Sequence, residues 1–151
     1  MYTPGNIIYY TPFYFPNGKS ACKDKYLIVL FSEGDSVLIA GLPTRTDHIP
    51  SFFSKKHGCI KDDSIGLCCY YIEKNRPVTE NDWGFPKETY LYGDEIDFFD
   101  RNIFEQIYKI PDVDFSIKGK LTDGEFQNMI DCFRNSRTTK RGIRRKLGAE
   151  I

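Results

Sequence analysis

The longest apolar runs in this chain are strand-sized. Tyr26 to Phe31 (YLIVLF) and Leu67 to Ile72 (LCCYYI) each span six residues, far short of the roughly 20 that a membrane-crossing helix needs. A core must therefore be assembled from several short segments joined by turns, which is how a sheet protein is built. Phe and Tyr, 12 and 10 of 151 residues, lift the aromatic content to 15 %. With the many Val and Ile residues they favour strands over helices. At 40 % hydrophobic residues, a chain of this length fits one domain whose core needs no staples.

Turn residues divide the chain into those segments. Asn6 to Tyr10, bounded by Pro4-Gly5 and Pro12, reads as a first strand. Pro16-Asn17-Gly18 marks a turn, and a basic loop through Lys19, Ser20, Lys23 and Lys25 feeds the strand from Tyr26. Gly34-Asp35 separates that strand from Val37 to Leu42, so the two are expected to form an antiparallel hairpin. Residues 43–66 are polar, lack a clear period and read as a long loop, the kind of segment in which function concentrates. Leu67 to Ile72 and Glu88 to Tyr92 are further strands, while Asp94 to Tyr108 partly satisfies both periods and fits either element. Thr122-Asp123-Gly124-Glu125 has the form of a capping box, followed by Phe126, Met129, Ile130 and Phe133 at i, i+3, i+4, i+7. That spacing predicts a helix over Asp123 to Arg134.

Charge is balanced in number but not in place. There are 21 basic and 21 acidic residues, yet Arg134, Arg137, Lys140, Arg141, Arg144, Arg145 and Lys146 form an acid-free stretch near the C-terminus, and Val78 to Asp114 is strongly acidic. The basic stretch, residues 135–151, reads either as a solvated tail beyond a domain of residues 1–134 or as a polyanion contact made through Arg141, Arg144 and Arg145. The first residues, MYTPGNIIYYTPFYFPNG, have no basic n-region, apolar run or small-residue cleavage site. The expected location is the cytoplasm, with no membrane contact.

The five cysteines, Cys22, Cys59, Cys68, Cys69 and Cys132, contain no CxxC pair. They read as reduced, mostly buried thiols. His57, Cys59 and Cys68 have the chemistry of metal ligands, but zinc sites use shorter paired spacings and four ligands, so no metal or other cofactor is expected. His48 beside Asp47 is a candidate for proton transfer, since a carboxylate orients an imidazole that titrates near neutral pH. A solvated surface histidine is the simpler reading. Glu73, Glu80, Asp82 and Glu88 flank Trp83 with no recognisable acid/base spacing.

Four pieces in order carry a family resemblance: PGNIIYYTPF, KDKYLIVL, VLIAGLPT and KGKLTDGEFQNMIDCF. Together they resemble the PemK/MazF toxins of bacterial toxin–antitoxin pairs, through Pro4, Gly5 and Ile7, Leu27 to Leu30, Leu42-Pro43-Thr44 and Gly119-Lys120-Leu121-Thr122. The resemblance implies a small SH3-like antiparallel barrel with a C-terminal helix, a homodimer, an antitoxin partner and metal-independent cleavage of single-stranded RNA. The family's catalytic Arg falls on Lys25, with Tyr26 in place of Pro, and its Thr or Ser falls on Thr44. Lysine offers a point charge where arginine grips a phosphate with a planar fork. Lys23 and Arg45 are nearby cations that supply RNA contacts, and His48 is the accompanying proton-transfer candidate. The alternative is a non-catalytic SH3-like module that binds nucleic acid or protein through the same groove. On plainer readings, Thr44 bonds its own turn and Lys23 and Lys25 are solvated edge charges.

Overall fold

The computed structural model describes residues 1–14 and 23–149. The turn at Pro16-Asn17-Gly18, the loop residues Lys19 and Ser20, and Cys22 lie outside the described residues. The chain is mainly β, as the sequence predicts, and its described strands form two antiparallel sheets accompanied by a few helices. Strands β1 (Asn6–Phe13), β2 (Lys23–Glu33), β3 (Val37–Gly41), β7 (Ile96–Asp100) and β8 (Phe115–Lys120) form a sheet in the order β7-β3-β2-β1-β8. Strands β4 (Gly58–Asp62), β5 (Leu67–Ile72) and β6 (Thr89–Tyr92) form a second sheet in chain order. The helices are α1 (Arg101–Ile107), α2 (Asp123–Arg134) and α3 (Arg141–Lys146).

The larger sheet is buried on both faces, which explains why β2 reads as an unbroken apolar run. Side chains alternate along a strand, so Ile7, Ile28, Leu30 and Ile39 enter one core with the second sheet, α2 and α3. Ile8, Tyr10, Leu27, Val29 and Leu38 enter another beneath Phe104 of α1. The β2–β3 hairpin forms as predicted, with Gly34 at φ 61 supplying the left-handed turn residue. Helix α2 spans the predicted residues. Thr122 accepts the Glu125 backbone N–H, and Met129, Ile130 and Phe133 are buried. Phe126 packs at the margin of the same core.

Three expectations are corrected. Residues 43–66 are not one long loop: β4 and a 3-10 turn (Asp63–Ile65) lie inside them. Strand β4 is a sheet edge with a single buried residue, Ile60, so it has too little apolar patterning to be seen in sequence. The rest of the segment covers the outer face of the second sheet, where Ile49 and Phe53 pack with Tyr71 and Tyr90. The cysteines are not all reduced either. Cys59 and Cys132 are disulfide-bonded, and Cys68 and Cys69 are buried thiols. The bond joins residues 73 apart in sequence, and spacing carries no information about such a meeting. Nor is the basic stretch a solvated tail, because Ile143 and Leu147 are 0 % and 7 % exposed and belong to the core under α2.

Asp94 to Tyr108 resolves into both elements that its pattern fits. Strand β7 ends at Asp100, whose carboxylate accepts the Asn102 N–H and starts α1. No helix among the described residues is long and apolar enough to cross a membrane.

Candidate functional site

A cleft of about 430 Å³ opens at the Lys23 end of β2. Its position follows from strand register. Tyr9 stands opposite Tyr26, Tyr10 opposite Lys25 and Phe13 opposite Lys23, so the start of β2 is held against the second half of β1. The rim across from it comes from residues 43–45, where Thr44 and Tyr90 exchange two backbone hydrogen bonds of 2.8 Å. These bonds bring Pro86, Lys87 and Thr89 to the same opening.

Lys23, Lys25, Arg45 and Lys87 all line the cleft. Among the described residues no carboxylate forms an ion pair with any of the four. Asp24 is the single acid among the described residues of the lining. Lys25 is half-buried and its ammonium donates to the Pro43 carbonyl at 3.4 Å. Burial holds its pKa below the ordinary lysine value; Lys23 and Arg45 act in the same direction and Glu95 opposes them. Unpaired cations converging on a concavity are the electrostatic signature of an anion site.

Aromatic rings form one wall. Tyr9 and Tyr26 lie 4.4 Å apart between centroids, and Tyr26 continues to Phe85 at 5.0 Å and Trp83 at 5.7 Å. The Lys118 ammonium sits 5.5 Å from the Tyr9 ring, a cation–π contact. Tyr9 and Tyr26 are partly exposed at the cleft, unlike the core aromatics.

The residues singled out by sequence separate into three groups. Lys23, Lys25, Thr44 and Arg45 meet at the cleft. The Thr44 hydroxyl is engaged in its own turn, accepting the Thr46 N–H at 3.2 Å and donating to the Thr46 hydroxyl at 3.3 Å. His48 lines a separate cavity of about 540 Å³ with Tyr92, Glu95 and Cys68. Its backbone N–H donates to the Tyr92 hydroxyl at 2.7 Å. Asp47 does not orient the imidazole: its carboxylate takes the Lys55 ammonium at 2.7 Å and the Ile49 N–H at 2.9 Å. Arg141, Arg144 and Arg145 lie on α3. That helix is tied down where Lys146 meets Glu33 at 3.1 Å, ten residues along β2 from Lys23, or roughly 33 Å at 3.3 Å per residue.

Two groups escaped sequence reasoning. Lys87 and Tyr9 are recruited to the cleft by pairing between distant segments, and only the register reveals them. Glu125, His57 and Tyr70 form a mostly buried cluster between α2 and the second sheet. His57 Nε2 and Glu125 Oε1 are 2.7 Å apart, the Tyr70 hydroxyl donates to Glu125 Oε2, and His57 Nδ1 accepts the Glu73 N–H at 3.2 Å. Because Nδ1 accepts, the proton sits on Nε2 and points at Glu125. Burial works against the Glu125 carboxylate, but the hydrogen bonds from His57 and Tyr70 outweigh it and hold the pKa below the ordinary value. Burial and the same carboxylate push the Tyr70 hydroxyl up. The capping box was legible in the sequence, yet its glutamate bonds the sheet rather than the helix start.

No group of three or more His, Cys, Asp or Glu residues among the described residues is arranged to hold a metal. Comparison with family models, curated proteins and solved structures finds no match for this chain.

Proposed function

We propose that the cleft is a single-stranded RNA site and that the chain acts as a PemK/MazF-like protein on an SH3-like barrel. The observation that carries the reading is the convergence of Lys23, Lys25, Arg45 and Lys87 on a partly exposed tyrosine pair. Cations neutralise the phosphates, and Tyr9 and Tyr26 offer π-faces on which unpaired bases stack, at about 1–3 kcal/mol per base. The order of the sequence motifs gives further support. Pro4-Gly5-Asn6-Ile7 and Gly119-Lys120-Leu121 meet in space, with Asn6 opposite Lys120, Ile7 opposite Gly119 and the Leu121 N–H on the Gly5 carbonyl at 2.9 Å. Thr44↔Tyr90 and Thr79↔Leu121 bridges link the two sheets' segments. A homodimer and an acidic antitoxin segment belong to the same proposal.

For cleavage, the RNA 2′-hydroxyl gives its proton to solvent and attacks its neighbouring phosphate. The P–O5′ bond breaks, the 5′-oxygen leaves and takes a proton from solvent, and Lys25 offsets the charge that builds on the phosphoryl oxygens. The test is incubation of end-labelled RNA pools with purified protein in EDTA. Cleavage leaving a 2′,3′-cyclic phosphate, lowered about 10²–10³-fold by Lys25→Ala and kept by Lys25→Arg, is the expected result. A second reading rests on His48 and the Lys25-Tyr26 pair: the imidazole lines a different cavity, and the cleft carries a lysine where the family has arginine. On that reading the chain binds RNA without cutting it. Salt-sensitive binding without cleavage, by either Lys25 or Lys25→Arg protein, decides for it; absence of RNA binding removes both.

A further inference from the structure

Cys132, on the last turn of α2, lies between two other cysteine sulfurs. It is bonded to Cys59 of β4, and the Cys68 thiol of β5 stands 3.8 Å from its sulfur. The sheet register explains the arrangement. Cys59 is opposite Tyr70 and Cys68 is opposite Lys61, so Cys59 and Cys68 are diagonal neighbours on one face of the second sheet. That face meets α2, as shown by Tyr70 on Glu125 and by the Lys61 ammonium on the Asn135 carbonyl at 3.1 Å. Cys59 is exposed, whereas Cys68 and Cys132 are 3 % and 4 % exposed.

We infer that these three residues form a thiol–disulfide exchange site, which hands the bond from Cys59 to Cys68 and presents Cys59 at the surface to small-molecule disulfides. Cys68 Sγ, as thiolate, attacks Cys132 Sγ. The Cys68–Cys132 bond forms, the Cys59–Cys132 bond breaks, and the electron pair leaves on Cys59 as the thiolate, the proton of Cys68 having gone to solvent. No oxidant is consumed, because one disulfide and one thiol are present before and after. Thiolate Cys59 then attacks a small-molecule disulfide, forming a mixed disulfide and releasing one small thiolate.

The environments of the two thiols set the direction. Burial pushes the Cys68 thiol up, opposed by the Ser136 and Thr138 hydroxyls, so its thiolate is scarce and exchange is slow. Released Cys59 faces solvent in an open groove lined also by His57, Lys61 and Asp131, so an external disulfide reaches it while Cys68 stays shielded. Capture of Cys59 therefore pulls the exchange forward. The product keeps α2 bonded to the second sheet, now through β5 instead of the edge strand β4.

The experiment incubates the oxidised full-length protein with oxidised glutathione, quenches with acid and maps every disulfide by fragmentation mass spectrometry. Wild type is expected to accumulate glutathione on Cys59 together with a Cys68–Cys132 bond in the same molecule. Cys68→Ser should keep the Cys59–Cys132 bond and gain at most a tenth of the Cys59 adduct. Equal labelling of Cys59 in both proteins, or no Cys68–Cys132 bond in labelled wild type, overturns the inference. Cys59→Ser provides an arm that does not depend on the folding of the first variant. It should form the Cys68–Cys132 bond on oxidation, with an unchanged near-ultraviolet dichroism spectrum, and a folded Cys59→Ser protein that leaves both thiols free also overturns it.

Discussion

The molecule carries two basic regions, one of four cations and one of seven, and they are built in different ways. At the cleft, Lys23, Lys25, Arg45 and Lys87 converge from three chain segments with no carboxylate among the described residues in ion-pair contact. Along residues 134–146 the cations are close in sequence, and three of the seven are already paired with acids. Arg134 pairs with Asp131, Lys140 with Asp97 at 2.8 Å, and Lys146 with Glu33 at 3.1 Å, while Ile143 and Leu147 hold the helix in the core. A run of charge in sequence and a site for an anion are therefore different things. What makes a site is convergence without a partner.

The largest effect expected from this contrast is on folding. Deleting residues 135–151 should unfold the domain or remove several kcal/mol of stability, since it strips two buried apolar side chains, Ile143 and Leu147, from the core under α2. Chemical denaturation of the truncated chain checks this, and an unchanged midpoint would return the basic stretch to the status of an appendage. Phe133→Ala, at a fully buried ring of that core, should cost about 3–5 kcal/mol, and Ile143→Ala about 2–5 kcal/mol. If α3 merely rested on the surface, the second value would be near zero.

A smaller effect separates the two regions in binding. Lys25→Ala with Arg45→Ala should flatten the salt dependence of RNA binding by about 1.4 in log–log slope, at about 0.7 per phosphate contact on a single strand. Arg141→Ala with Arg145→Ala should leave the slope unchanged, because α3 lies far along β2 from the cleft. Fluorescence anisotropy at several salt concentrations makes the comparison, and the reverse pattern would move the site to α3.

The smallest effect is one of pH. The Lys25 pKa is lowered by burial from 10.5, so its charge is lost earlier than that of an ordinary lysine as pH rises. Affinity for single-stranded DNA, used because it survives alkali, should fall in the window below 10.5, and Lys25→Arg should hold affinity to higher pH. Stability moves the other way. The unfolded chain keeps its proton over that window while the folded one releases it, so the cost of burying the charge is relieved as pH rises. A titration in which wild type and Lys25→Arg coincide would show that Lys25 makes no phosphate contact.

Much of the fold was legible wherever a strand or helix carries its own pattern. The β2–β3 hairpin, β5 and α2 are each announced by turn residues, apolar runs or a cap, because both faces of the larger sheet and one face of α2 are covered. Strand β4 and helix α3 were not legible. One has a single buried residue, and the other reads as charge because its anchors, Ile143 and Leu147, are only two. At the candidate cleft, Lys23, Lys25, Thr44 and Arg45 lie at or beside strand ends, so their nearness to one another follows from the strand pattern of the sequence. His48, close to them in sequence, is not at the cleft, because Ile49 turns inward and Tyr92 takes the His48 N–H, directing the residue to the neighbouring cavity. Lys87 and Tyr9 reach the cleft through long-range pairing that no local pattern encodes.

Trp83 is the single tryptophan of the chain, half-buried against Phe85 and 5.7 Å from Tyr26. The cleft thus comes with its own chromophore. Excitation absorbed by Tyr9 or Tyr26 passes readily to an indole so close, and a base stacked on either ring would compete for it. Occupancy of the cleft would then be read as a change in tryptophan emission from unlabelled protein, whereas ligands held on α3 would leave that emission as it was.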